Sequence, residues 1–279
     1  MDFEVEYNNR ARVPEHPEII DRWQQDAASY RSQTQCELDL AYGDSARSVL
    51  DLFHPGNGDG DTPLAVFIHG GYWQAMDGKT FSMMVRGLNG HGISVAVPTY
   101  DLCPDVTVEE IVRQIRQCCI WLWHRYEKPL TLFGHSAGGH LTAAMVATDW
   151  RDEDASLPAD LCRKGYAISG VFDLAPLIGT SINKAAGLDA ASATHMSPLH
   201  WQPARGAHLT AAVGGEESSE FLRQSRTVCE TWGDLGVHSA YREIDGANHF
   251  TVLDDLTDPD SVMVREIAHL ARSGALKGP

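Results

Sequence analysis

The sequence predicts an α/β fold: a mostly parallel, eight-stranded sheet with helices on both faces. Three observations predict it. Short apolar runs bounded by Gly, Pro or Asp alternate with segments of 3.6-residue apolar period through most of the chain. Of 279 residues, 43% are hydrophobic, enough to bury a large core. No internal repeat or low-complexity linker divides the chain, so one domain over residues 1–279 is expected.

The strands are expected at CELDLAYG, SVLDLFHP, PLAVFIHGG, SVAVPTY, PLTLFGHS, GYAISGVF, HLTAAVGG and HSAYREI. Only the short GDSAR separates the first two, which should therefore pair as an antiparallel hairpin at one edge. HPGNGDGDTP then reads as a surface loop. Helical periodicity covers residues 80–88, 108–126, 137–148, 220–235 and 259–272; in the second, Val108, Ile111, Val112, Ile115, Cys119 and Leu122 share one face. Strand–helix–strand repetition calls for parallel pairing with both faces covered. Residues 1–34 stand as an N-terminal extension. The weakly periodic stretch 173–204, after the sixth strand, is too long for a simple connection and is expected to form a lid or pocket wall.

Charge and cysteine usage narrow the partners. With 38 acidic against 22 basic residues and a formal charge of -16, and with no Lys/Arg cluster, the surface should repel polyanions, which argues against nucleic acid. The N-terminus has no basic region followed by an apolar one, and no run of about 18 apolar residues occurs, so a soluble, cytoplasmic protein without a membrane partner is expected. Six cysteines form no CxxC pair, which suits reduced thiols. No metal or other cofactor is expected, because no carboxylate and histidine set has zinc spacing. A homodimer is compatible with the sequence without being required by it.

The chemistry concentrates in three places. Gly-His-Ser-Ala-Gly, 134–138, is a G-x-S-x-G pattern between an apolar strand and a run of helix formers, a setting that makes Ser136 a nucleophile and the Ala137 N–H an oxyanion donor. Taken alone, the pattern also fits a glycine-softened turn with a capping serine. His69-Gly70-Gly71-Tyr72-Trp73 follows another strand, and its glycines allow close approach of N–H groups at Gly71 and Tyr72 to a developing oxyanion. His69 itself reads as a loop-shaping side chain. After the last strand, Asn248-His249-Phe250 supplies an imidazole in the position the chain order requires of the base. His135 and His140 flank the nucleophile. The acid should follow HLTAAVGG, where Glu216 and Glu217 are adjacent; Asp173, Asp245 and Asp254 compete. Tyr72, Trp73, Phe172, Trp201 and Phe250 could line a pocket for a flat substrate, although aromatic side chains also serve as core.

HGGYW (69–73), GHSAGGHL (134–141), GVFDLAPL (170–177), SPL (197–199), EESSEFLRQS (216–225) and NHF (248–250) together resemble the α/β-hydrolase superfamily, and within it the kynurenine formamidase (arylformamidase) branch of the esterase/lipase group. The resemblance runs from the third strand to the last loop. It implies a cofactor-free serine hydrolase that cleaves a small acyl group from a small-molecule amide or ester, most specifically an N-formyl arylamine such as N-formyl-kynurenine. It also points to Glu217 as the acid, since in such enzymes the acid commonly precedes a Ser-x-x-Phe-x-x-Gln-Ser stretch, here starting at Ser218. Many relatives carry Asp there, and the longer Glu keeps Glu216 open. General carboxylesterases, thioesterases and carbamate hydrolases share the constellation, as would a non-catalytic binding protein on the same fold. For the amino-acid end of kynurenine the sequence offers only Arg205 and Lys184.

Overall fold

The computed structural model describes residues 1–56 and 62–273. Strands β1 (Cys36–Ala41), β2 (Val49–Phe53), β3 (Leu64–Ile68), β4 (Ser94–Pro98), β5 (Leu130–His135), β6 (Lys164–Ile168), β7 (His208–Gly214) and β8 (His238–Ile244) form one sheet in the order β1-β2-β4-β3-β5-β6-β7-β8. The β1/β2 and β2/β4 pairs are antiparallel and the remaining five parallel. All eight expected runs are strands, with the hairpin at the edge. The centre of the expected loop at 54–63 lies outside the described residues.

Period-2 side chains split the central strands between two cores. Leu64, Val66 and Ile68 of β3 pack with Leu132, Ile111, Ile115 and Leu122, whereas Ala65 and Phe67 pack on the opposite face with Phe133, Met84, Leu88 and Ile267. Every residue of β3 to β6 is buried, which explains their continuous apolar runs.

The helices are α1 (Phe3–Tyr7), α2 (Asn9–Arg12), α3 (His16–Gln33), α4 (Arg86–Gly90), α5 (Val108–Tyr126), α6 (Ala137–Ala147), α7 (Trp150–Glu153), α8 (Asn183–Ala186), α9 (Ala190–His195), α10 (Ser219–Asp234) and α11 (Val262–Arg272). Caps set several starts: the Thr107 side chain accepts from Glu110 N–H ahead of α5, and Ser261 from Val264 N–H ahead of α11. That Ser261 cap places the last helix three residues later than its periodicity suggested. The helix expected at 80–88 is a 3₁₀ stretch, Gly78–Val85, followed by short α4.

The extension 1–34 is largely helical. In α3, Ile19, Trp23 and Ala27 are buried on one side, and Trp23 packs 5.5 Å from Phe81. Chain 2–12 crosses the carboxyl ends of the strands as a strap. Its Glu4 carboxylate accepts from Ser181 N–H and Oγ, and Glu6 from Ser219 Oγ and Glu220 N–H. Tyr7 OH donates to Glu220 at 2.8 Å and accepts from Gln224. The six cysteines are free thiols, and no helix among the described residues is long and apolar enough to cross a membrane.

Candidate active site

The turn from β5 into α6 sets the site. Ser136 has φ 58° and ψ −117°, a conformation that side-chain-bearing residues hold only under strain of about 1–3 kcal/mol. Its N–H donates to Ile168 O at 2.8 Å, tying the turn to β6. The flanking glycines are obligatory: a Cβ on Gly138 would stand 1.9 Å from Ile68 O, and one on Gly134 2.4 Å from Gly138 O. The serine hydroxyl therefore projects above the carboxyl ends of the strands.

Beside it, the loop after β3 packs closely against this turn, since a Cβ on Gly70 would come 2.8 Å from His135 O and 3.0 Å from Ser136 Cβ. Gly71, Tyr72 and Trp73 all have positive φ (110°, 50° and 58°), which turns successive amides into one concavity. The N–H groups of Gly71, Tyr72 and Ala137 donate to no backbone or side-chain acceptor among the described residues. His69 shapes this loop: fully buried, it bonds Gly70 O through Nδ1 at 2.7 Å and stacks on Tyr100 at 4.2 Å. Burial lowers its pKa to about 4, so it is neutral at physiological pH.

After β7, Glu217 is buried and fully partnered. Oε2 meets His249 Nδ1 at 2.6 Å, while Oε1 accepts from Ser169 Oγ at 2.5 Å and from Gly214 N–H at 2.8 Å. These bonds anchor the carboxylate to two strands and fix the imidazole with Nδ1 protonated and Nε2 free to accept. Glu216 is exposed and its side chain makes no hydrogen bond or ion pair among the described residues; Asp245 and Asp254 are also exposed, and Asp173 lies near Arg223 at 3.8 Å. His135 has a second task. Its Nε2–H donates to His249 O at 2.8 Å, holding the backbone there, and burial, reinforced by neighbouring His249, pushes its pKa well below the ordinary range. Ser136 and His249 line the same cavity, with no hydrogen bond joining them in this arrangement; such contacts often close only around substrate.

That cavity holds about 380 Å³, within the range of small-molecule sites. Trp23, Phe81, Tyr72, Met76, Ile20 and Phe250 give it an apolar, aromatic wall, and Tyr7 to Arg10 of the strap form its roof. Of the five aromatic residues expected to line it, Tyr72 and Phe250 do and the other three do not. Trp73 is fully buried beneath the loop, edge-on to His140 at 5.0 Å; Phe172 is fully buried against Gly170; Trp201 is occupied with His195 O through Nε1. The stretch 173–204 supplies only Ser181 and Ile182. Neither Arg205 nor Lys184 reaches the cavity: the Arg205 guanidinium lies against Gly236. Sequence reasoning missed Ser169, which carries no motif, and the strap. The spacing Ile19, Trp23, Ala27 was the available signal for the helix behind that strap.

A parallel sheet that presents a strained serine at a strand-to-helix turn, beside a buried carboxylate–imidazole pair, defines the class of serine hydrolases. The comparisons agree. Residues 50–186 match the BD-FAE family model. Kynurenine formamidase from Danio rerio is 27% identical over 84% of this chain and 82% of its own, and that from Drosophila melanogaster 29% identical over 83% and 80%. A solved structure from Silicibacter, assigned provisionally as a thioesterase, is 34% identical over 96% of this chain and 99% of its own, with TM-score 0.85. Esterase B from Lactobacillus rhamnosis, at 19% identity and TM-score 0.70, shares the fold. The chain belongs to the α/β-hydrolase family and is similar to kynurenine formamidases over most of its length.

Proposed function

We propose that the chain is an arylformamidase that releases formate from an N-formyl arylamine of the N-formyl-kynurenine type, with Ser136, His249 and Glu217 as its catalytic triad in a single α/β-hydrolase domain. The observation that carries the reading is a Glu217–His249 pair at 2.6 Å on the floor of an aromatic-walled cavity that also holds Ser136. Ser136 Oγ attacks the formyl carbon as His249 Nε2 takes its proton. The carbonyl oxygen becomes an oxyanion facing the N–H groups of Gly71, Tyr72 and Ala137. Collapse breaks the C–N bond, His249 returns the proton to the leaving nitrogen, and the arylamine departs. Water, deprotonated by His249, then hydrolyses the formyl-serine to formate and free Ser136. Glu217 keeps Nδ1 protonated and steadies the imidazolium through both halves.

A second reading, a thioesterase or short-chain esterase on the same triad, is favoured by the 34% identical Silicibacter structure. The purified protein distinguishes them through kcat/KM for N-formyl-kynurenine, p-nitrophenyl acetate and butyrate, and a short acyl thioester. An ester or thioester value more than about a hundredfold above the formamide value, some 2.7 kcal/mol in transition-state binding, would replace the formamidase assignment.

A further inference from the structure

The cavity mouth has an unusual charge. Among the 19 residues that line it there is no Asp or Glu, although the chain carries 38 of them, and there is one Lys or Arg, namely Arg10. Arg10 lies on α2, within the strap, and is exposed. It forms no ion pair or side-chain hydrogen bond with any described residue, whereas its polar neighbours are committed. Asn8 caps Ala11 N–H and reaches Glu4, Asn9 donates to Tyr72 OH at 3.3 Å, and Ser181 donates to Glu4. Glu4 and Glu6, the acids that precede Arg10 on the strap, are turned onto Ser181 and onto Ser219 and Glu220. In an acidic protein, an exposed arginine that lines the cavity, without a partner among the described residues and with no Asp or Glu beside it in the lining, is a fork suited to a planar anion.

We propose that Arg10 is a specificity-determining residue that receives a carboxylate on the part of the substrate remote from the scissile bond. The inference rests on the assignment of the catalytic cavity, and it names the residue that would recognise the carboxylate carried by the leaving group of the substrate proposed above. The strap then does two things at once, since Tyr7 to Asn9 roof the aryl group while Arg10 selects what extends past it.

The test is a ratio. For wild type, Arg10→Gln, Arg10→Lys and the neighbouring Arg12→Gln, kcat/KM is measured on N-formyl-kynurenine and on formanilide, which has the aryl formamide but no carboxylate. Arg10→Gln is expected to lower the charged-to-neutral ratio by about 10- to 100-fold, chiefly through KM, because the contact is equal in ground and transition states. Arg10→Lys should recover part of the ratio and Arg12→Gln should leave it within about twofold of wild type. An unchanged ratio in Arg10→Gln, or an equal fall in Arg12→Gln, overturns the proposal. If wild type cleaves esters and no formamides, the formamidase reading fails while the Arg10 inference stays testable: the same ratio is then read with 4-acetoxybenzoate against phenyl acetate, with the same two outcomes. Because Arg10 is exposed and unpaired, its replacement leaves packing intact, and matching thermal melts verify that each variant is folded.

Discussion

The floor and the roof of the cavity are built on opposite principles. The floor comes from turns at the carboxyl ends of β3, β5, β7 and β8, where sterically forced glycines and buried hydrogen bonds fix each group. The roof comes from the strap and from Ser181–Ile182, chain segments that meet through Glu4–Ser181, Glu6–Ser219 and Tyr7–Glu220 contacts spanning up to 214 residues of sequence. Chemistry at a fixed floor must be conserved in geometry to within fractions of an ångström, whereas a roof can vary and select. Substitutions in the floor should therefore act on kcat by orders of magnitude, and those in the roof on KM by much less.

The largest expected effect is at Ser136 and His249. Ser136→Ala and His249→Ala should each remove on the order of 10⁴-fold or more in kcat with the fold intact, and the double variant should lose little beyond either. A tenth of wild-type kcat surviving in Ser136→Ala would show that the floor is not where the chemistry occurs. Next comes the acid: Glu217→Gln is expected to cost about 10²- to 10⁴-fold in kcat with a smaller change in KM, while Glu216→Gln, exposed, should be nearly silent. The reverse ranking would transfer the role to Glu216.

The same division explains what could be read from sequence. All eight strands were legible because their apolar runs are local signals, and the turn at Ser136 was legible because its backbone demands particular neighbours, Gly134 and Gly138. The roof was not legible. Trp73 and Phe172 are as aromatic as Trp23 and Phe81, and nothing local says which pair is sealed in the core and which faces the cavity; that depends on how distant segments stack. The length of 173–204 suggested a lid, yet the greater part of it packs away from the cavity, and the strap covers the site instead. Ser169 was invisible for a similar reason, since its bond to Glu217 crosses 48 residues of sequence.

Beneath the floor lies a pH-sensitive support. His140 is fully buried on α6, bonded to Met196 O at 2.8 Å, and burial lowers its pKa to about 4 from 6.5. The unfolded chain thus binds a proton that the folded chain refuses between about pH 6.5 and 4. Stability from this group is complete above pH 6.5 and is lost as pH falls toward 4. From pH 7.5 to 5 the loss should be roughly 2 kcal/mol, read from urea midpoints. His140→Gln keeps a donor for Met196 and should shed that share of the pH dependence. An identical slope in the variant would mean that His140 does not titrate in this way.

The smallest effects should separate the two segments of chain that compete to be the roof. Ile20, on α3 behind the strap, lines the cavity and is partly buried, whereas Trp201, in the stretch 173–204, does not line it. Ile20→Ala removes apolar surface that would meet the aryl group, worth about 1–2 kcal/mol, and should lower kcat/KM on an aryl substrate some 5- to 30-fold, mostly through KM. Trp201→Ala removes a larger side chain, with its bond to His195 O, and should reduce thermal stability while leaving kcat/KM within about threefold. Size alone would rank the two substitutions the other way, so kinetics and melting curves measured on both variants decide which segment covers the substrate. A tenfold loss of kcat/KM in Trp201→Ala with Ile20→Ala unaffected would return that role to the insertion and reduce α3 to a structural brace.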